Sequence, residues 1–330
     1  MSCYHSTMQV FESIADAIGN TPLVKISRVL VPAPHTLLAK CEFMNPGGSV
    51  KDRIAFHMVR RAEQRGLLTR GMQIVEATGG NTGIGLALAA RLGGYELLCV
   101  MTEKVGKEKV RMMQVLGAET LVVPGGKPIS DPEHFINKAK RIAADRGAWF
   151  VGQFENTDNL DAHYETTGPE IWAQSHGEVD ALVAGIGTGG TLLGAGRFLK
   201  ERKPSVKLVL ADPEGSCLGS WQAGTEPKAG SYIIEGIGGD FVPTIVDLKS
   251  IDESFTVSDR DAVQMAYELL SKEALFVGGS SGLIVSAAIE FLKRAPSSTP
   301  LSAVAILPSA GRLYMSTIFD QEWLSAKGLA

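Results

Sequence analysis

Apolar and polar positions alternate along this chain in two periods, one of two residues and one near 3.6, and the two take turns over most of its length. A short helix is expected at 13–18, stopped by Gly19-Asn20-Thr21-Pro22, then strands at 23–26 and 36–43. Residues 53–65 carry helical periodicity and Gly66 closes it. Strands then follow at 73–76, 96–101 and 119–123, with helices at 81–92, 107–116 and 131–146 between and after them. A second series runs from a strand at 149–151 through a helix at 160–174, a strand at 181–184, a helix at 190–201 and a strand at 206–211. This is the rhythm of parallel sheets covered by helices on both faces, an α/β architecture.

Between 212 and 247 the pattern lapses into a loop rich in Gly and Pro, longer than an ordinary connection, and such loops usually serve a ligand. A helix is expected at 258–272, where Ser258 and Asp261 form a capping box before the stripe Val263, Ala266, Tyr267 and Leu270. Strands at 276–277 and 303–307 enclose a helix at 282–292, and 297–299 is a surface loop. No internal repeat interrupts this order.

Length changes the picture first: 330 residues suit two domains, or one large domain with an insertion. The net charge of −4 is spread without a basic run or acidic tail, so neither nucleic acid nor a membrane surface is implied, and a small molecule becomes the expected partner. Cys3, Cys41, Cys99 and Cys217 are scattered with no CxxC and no neighbouring His in metal spacing, which points to free thiols and no metal site. The first 17 residues lack a basic segment followed by an apolar run, and the expectation is a cytoplasmic protein.

Four glycine-rich turns carry the candidate chemistry. In Asn45-Pro46-Gly47-Gly48-Ser49-Val50-Lys51-Asp52-Arg53, one lysine opens a helix, whose positive end disfavours a protonated amine, so Lys51 is a candidate nucleophile. Thr78-Gly79-Gly80-Asn81-Thr82-Gly83 follows a strand and opens a helix, a place where hydroxyls and bare N–H groups suit a carboxylate. Gly185-Ile186-Gly187-Thr188-Gly189-Gly190-Thr191 makes a cradle of main-chain donors and hydroxyls, a phosphate site by geometry. Its glycines also satisfy GxGxxG with Asp212 near the place of a ribose-binding acid, so a dinucleotide stays open; the missing GK[ST] ending argues against a nucleoside triphosphate. Gly278-Gly279-Ser280-Ser281-Gly282 repeats the arrangement. Each turn alone reads equally as a tight strand-to-helix connection, but four converging on one crevice favour a site.

NPGGSVKDR, TGGNTG, GIGTGGT and GGSSG, in this order, resemble the fold-type II pyridoxal-phosphate enzymes of the cysteine synthase and cystathionine β-synthase group, from about Gly19 to Tyr314. The resemblance implies a tryptophan synthase β-like fold: a smaller mobile α/β domain at 44–154, a larger one from 1–43 plus 155–330, the active site between them, and a homodimer. It implies pyridoxal 5'-phosphate as cofactor, bound covalently by Lys51, with Asn81 at the ring hydroxyl, Gly187, Thr188, Gly189, Gly190 and Thr191 on the phosphate, and Ser280 at the pyridine nitrogen. Thr78, Gly79, Thr82 and Gln153 would surround the substrate carboxylate, with Gly236 and its neighbours Ile237 and Gly238 flanking the reacting atoms.

The implied reaction is β-replacement on an activated L-serine through an aminoacrylate intermediate, Lys51 serving as acid and base. O-acetyl-L-serine with sulfide, giving cysteine, is the expected pair. Condensation with homocysteine, as in cystathionine β-synthase, or with an amine giving a 2,3-diaminopropionate derivative, is the alternative. AKCEF, GIGLALAA, DPEGS and EGIGGDFVPT resemble the cystathionine β-synthase core, whereas Phe154 after Gln153 resembles cysteine synthases. Gly79 replaces a serine usual in both, and Gly239 stands where cystathionine β-synthases usually carry an aromatic residue. The lost hydroxyl at 79 motivates one more reading, a binding protein on the same fold, which intact Lys51, Asn81 and Ser280 oppose.

Overall fold

The computed structural model describes residues 10–27, 30–103 and 105–329. Its strands, in chain order, are β1 (Leu23–Lys25), β2 (Thr36–Lys40), β3 (Gln73–Ala77), β4 (Glu96–Thr102), β5 (Glu119–Val123), β6 (Trp149–Phe150), β7 (Ala181–Ala184), β8 (Lys207–Pro213), β9 (Glu253–Val257) and β10 (Ser302–Ile306). They form a six-stranded sheet in the order β1-β2-β10-β7-β8-β9 and a four-stranded sheet in the order β5-β4-β3-β6. Only β1 runs antiparallel to its neighbour. The central strands are apolar on both faces, as β7 with its four buried residues illustrates, because helices cover both sides of a parallel sheet. Gly279–Arg294 lies across β7, β8, β9 and β10, while Phe135–Arg146 packs on β3, β4 and β6.

The helix that begins at Lys51 is anchored to the larger sheet by buried charges. Arg53 reaches Glu42 through Nε at 2.7 Å and Nη2 at 2.8 Å, and Glu170 through both terminal nitrogens at 2.7 Å. Lys40 on β2 completes the cluster, donating to Glu170 at 2.6 Å, to the Thr21 carbonyl at 2.7 Å and to Gln174 at 2.9 Å. Each ion has its opposite, so the cluster is satisfied; removing one member would strand a buried charge, a loss of about 3–5 kcal/mol. On its other side this helix meets Asn81–Gly93, where Gly85 permits an approach that a Cβ would narrow to 3.0 Å from both Ala55 and the Lys51 carbonyl.

Several expected elements take a different form. The turn at 13–18 is a 3-10 helix, Ile14–Ala17, closed by the reciprocal capping bonds of Ser13 and Asp16. The strand at 36–43 ends at Lys40, and Glu42–Met44 turns as a 3-10 helix because Glu42 must face Arg53. The helix expected from 131 starts at Phe135; Pro132 holds the preceding residue out of helical geometry. Within the helices at 160–174 and 190–201 lie π turns, His163–Thr167 and Thr191–Ala195. Strand β9 was not anticipated, although Phe255 and Val257 face inward with alternate residues outward; its single short alternation sits next to the long loop. Residues 276–277 supply one bridge, Val277 to Ala310, instead of a strand. The following helix starts at Gly279, three residues earlier than expected, taking Ser280 and Ser281 into its first turn.

Ser258 caps Asp259–Glu273 by accepting from the Asp261 N–H at 3.1 Å, but its hydroxyl donates to the Asp261 carboxylate at 2.6 Å, so the return half of a capping box is not made. Short helices Leu218–Gln222, inside the long loop, and Gln321–Ala326 were also not anticipated. Cys41, Cys99 and Cys217 are free and buried; Cys3 lies outside the described residues. Among the described residues no cluster of metal-ligating side chains occurs, and no helix is long and apolar enough to cross a membrane.

Candidate active site

A cavity of about 500 Å³ opens where residues following β3, β4, β6, β7 and β10 meet. In open α/β sheets that carboxyl-terminal edge is where ligands bind. The residues named for cofactor and substrate line it: Lys51; Thr78, Gly79, Asn81 and Thr82; Gln153; Gly187, Thr188, Gly189, Gly190 and Thr191; Gly236; and Ser280. Asp212, the candidate ribose acid, does not, and accepts from Gly219 N–H at 2.7 Å.

Lys51 is the first residue of Lys51–Gln64. The loop before it is stitched to the segment after β10: Val50 N–H donates to the Pro308 carbonyl at 2.8 Å, and Ala310 N–H to the Gly48 carbonyl at 2.9 Å. Gly48 has φ +85°, which favours glycine there. Among the described residues Lys51 Nζ has neither a hydrogen bond nor an ion pair. Burial pushes its pKa down to about 8, so desolvation is the cause that the structure supplies for a nucleophilic amine. Next to it, Asp52 accepts from Gly47 N–H at 2.5 Å, and burial raises its carboxyl to about 7.

The cradle between β7 and the next helix admits no side chain at Gly187, Gly189 or Gly190: a Cβ there would collide with the Gly236 carbonyl oxygen, Val246 Cγ2 and Asn159 Oδ1 respectively. Its two hydroxyls are held from behind. Asn159 Nδ2 donates to Thr188 Oγ1 at 2.9 Å and to the Gln153 carbonyl at 2.8 Å. His163 Nε2 lies 3.2 Å from Thr191 Oγ1, with its Nδ1 2.9 Å from Thr167 Oγ1. Burial, then the Arg53 and Lys51 charges, hold the His163 pKa well below the usual imidazole range.

Across the cavity, Thr78 Oγ1 accepts from Gly80 N–H at 3.2 Å, leaving its proton free. The Thr82 hydroxyl donates to Gln153 Oε1 at 2.6 Å, and Gln153 Nε2 to the Ala77 carbonyl at 3.3 Å. Among the described residues the buried Asn81 Oδ1 has no hydrogen-bond partner. The space a side chain at 79 would need is filled: a Cβ there would run into Val105 Cγ2 and stand 2.9 Å from Met101 Cβ. Behind Gln153, Glu76 is fully buried; one carboxyl oxygen accepts from Gly152 N–H at 2.7 Å and the other has no partner among the described residues. Burial raises its pKa to about 8.

Phe154 and Phe241 meet edge to face at 5.5 Å and, with Phe135 and Asp240, give this end an aromatic and acidic wall. Lys107–Val115, the helix after β4, is tied to the long loop and the C-terminal segment. Lys109 donates to Glu235 at 2.6 Å and sits 4.0 Å from the Tyr314 ring centroid, and Glu108 accepts from the Ser316 hydroxyl at 2.7 Å. Sequence reasoning missed Asn159, His163, Tyr232, Asp240, Phe241 and Tyr314. The available signal was Asn159 and His163 at i and i+4, a polar pair on one helix face.

The family described as pyridoxal-phosphate dependent enzyme matches residues 14–308. Cystathionine β-synthase of Apis mellifera is 40% identical over 325 residues, covering 97% of this chain and 64% of that protein. The chain thus spans less than two thirds of that relative's length. Cysteine synthase 1 of Emericella nidulans is 43% identical over 324 residues, covering 96% of this chain and 86% of the relative. The crystal structure of an O-acetylserine dependent cystathionine β-synthase from Helicobacter pylori superposes with a TM-score of 0.87 at 36% identity, covering 94% of this chain and 99% of that one.

Proposed function

The chain belongs to the pyridoxal-phosphate dependent enzymes, and from that membership we propose that it replaces the β-substituent of an O-activated L-serine, with O-acetyl-L-serine and sulfide giving L-cysteine and acetate. The residues fit the cofactor. A cradle that excludes side chains at Gly187 and Gly190 suits a phosphate, the unpartnered Asn81 Oδ1 suits a ring hydroxyl, and Ser280 offers a hydroxyl at the first turn of Gly279–Arg294. When bound, pyridoxal phosphate supplies an electron sink for the pair released at the substrate α-carbon.

Lys51 would hold the cofactor through its desolvated amine and would serve as the base that takes the substrate α-proton. Ser280, which lines the cavity, would offer the pyridine nitrogen a neutral hydroxyl in place of the charge a carboxylate holds, and the cofactor would then supply a weaker electron sink. The substrate carboxylate faces Thr78 and the main-chain donors after Gly79, while the Thr82 hydroxyl holds Gln153 in place beside them. Residues 44–154, the smaller domain, close over the cavity through Lys109 and Glu108 and keep water from the reacting carbon.

The single observation that carries this reading is Lys51 Nζ, unpaired and desolvated, on the wall of the same cavity as the glycine cradle. Purified protein should be yellow, borohydride should fix one cofactor on Lys51, and O-acetyl-L-serine followed by sulfide should yield cysteine. Protein that stays colourless with added pyridoxal phosphate would sink the reading.

A second nucleophile class is favoured by Asp240, a wall carboxylate with neither a hydrogen bond nor an ion pair among the described residues. It suits the ammonium of homocysteine or of another amine. Competition between sulfide and homocysteine for the same O-acetyl-L-serine decides between the two.

A further inference from the structure

The steps above use Thr188 and Thr191 only as wall residues, and Asn159 and His163 not at all. Yet the two threonine hydroxyls can serve a phosphate only if their protons face the cavity, since a phosphate dianion accepts hydrogen bonds and donates none. Which way each proton points is set by what stands behind it.

Behind Thr188 the direction is fixed by a carbonyl. The Asn159 amide atom 2.8 Å from the Gln153 carbonyl oxygen must be the nitrogen, because that oxygen only accepts. The same nitrogen lies 2.9 Å from Thr188 Oγ1 and spends its second proton there. Thr188 therefore accepts from behind and keeps its own proton for the cavity. Asn159 Oδ1 lies against Gly190, where a Cβ would collide with it, and has no hydrogen-bond partner among the described residues, so the two bonds made by Nδ2 set the orientation of the amide.

Behind Thr191 the direction is fixed by a second threonine. Thr167 is fully buried, and His163 Nδ1 at 2.9 Å is the hydrogen-bond partner its hydroxyl has among the described residues. Were Nδ1 the donor, the Thr167 proton would be buried with nothing to receive it, a costly arrangement. Thr167 therefore donates to Nδ1, the proton of the neutral imidazole resides on Nε2, and Nε2 donates across 3.2 Å to Thr191 Oγ1. His163 and Thr191 each open a π turn, His163–Thr167 and Thr191–Ala195, a distortion frequent at functional sites.

We propose that Asn159 and His163 are positioning residues that turn the Thr188 and Thr191 hydroxyls outward as donors, making residues 187–191 selective for a dianionic phosphate ester over the same molecule without its phosphate. The proposal rests on the pyridoxal phosphate reading above.

The test compares dissociation constants of pyridoxal 5'-phosphate and of pyridoxal, measured by reconstitution of the full chain. Asn159→Asp keeps the shape but reverses the bond, so the phosphate ester should bind roughly 10- to 100-fold more weakly while pyridoxal binding stays within about threefold. His163→Leu should behave alike, and His163→Gln, whose amide can donate to Thr191, should keep more of the preference. Asn159→Asp should add nothing once Thr188→Val is present, because the first acts only through the second. Thr188→Val and Thr191→Val must themselves show the selective loss. If they leave the ratio unchanged, or if Asn159→Asp weakens both ligands equally, the proposal is overturned. A wild-type chain that binds neither ligand would instead remove the cofactor reading on which it stands.

Discussion

At the phosphate end of the cavity, what lies behind the loop is neutral and donates: an amide at 159 and a desolvated imidazole at 163. At the opposite end, what lies behind Gln153 is a carboxyl group, Glu76, with one oxygen unpartnered. The first end is built for an anion that never changes. The second must admit a substrate carboxylate beside a buried acid, which it can do only while that acid holds its proton. The two ends also differ in freedom. Gly187 and Gly190 have no room for any side chain, whereas Gly239 faces the Phe241 carbonyl at 3.3 Å, a contact that small adjustments relieve. Cofactor binding is thus tightly constrained, whereas the substrate end combines a filled position at Gly79 with room for adjustment at Gly239.

Removing the group both ends converge on should give the largest effect. Lys51→Ala should lower turnover by roughly 10²–10⁴-fold, the range for a positioned acid or base, and abolish borohydride fixation, while the phosphate end still retains cofactor. Turnover within tenfold of wild type would break the division of labour drawn here.

Next in size is the acid behind the substrate end. The Glu76 pKa rises from 4.5 to about 8 on folding, so between those values the unfolded chain ionises first and wild-type stability falls as pH rises. Glu76→Gln removes that slope, a relative gain on the order of a few kcal/mol at pH 8, read from denaturant midpoints at about pH 5 and pH 8. The wild-type KM for O-acetyl-L-serine should also climb above pH 8 and stay flat in the variant. Parallel profiles would show that Glu76 is not the titrating group.

A smaller effect sharpens the contrast at position 79. Restoring the hydroxyl with Gly79→Ser should destabilise the protein by about 1–3 kcal/mol through overpacking against Val105 and Met101. Val105→Ala in the same chain should recover part of the loss. A Gly79→Ser variant that is stable and faster than wild type would mean the site had simply lost a donor.

The smallest change concerns the aromatic wall. Phe154→Ala removes the contact with Phe241, worth about 0.5–1.5 kcal/mol beyond buried area. It should alter KM for the nucleophile and leave the formation of the serine-derived intermediate unchanged; a shift in the first half-reaction would move Phe154 to the other side of the comparison.

The sequence by itself determined the alternation of strands and helices, the four glycine turns and the lysine that opens a helix, because each depends on backbone freedom and side-chain period within a few neighbouring residues. Even Ser280 was legible, although its helix begins three residues earlier than periodicity indicated. What only the tertiary structure decided depends on residues far apart in the chain. The Lys51 amine is desolvated by walls drawn from both sheets. Thr191 receives its bond from His163 and Thr188 from Asn159, across 28 and 29 positions. Gly79 is small because Val105 and Met101 occupy the neighbouring space, and no local pattern encodes that. Local physics wrote the turns into the sequence; which proton faces the cavity is a matter of distance between segments, and distance exists only once the chain has folded.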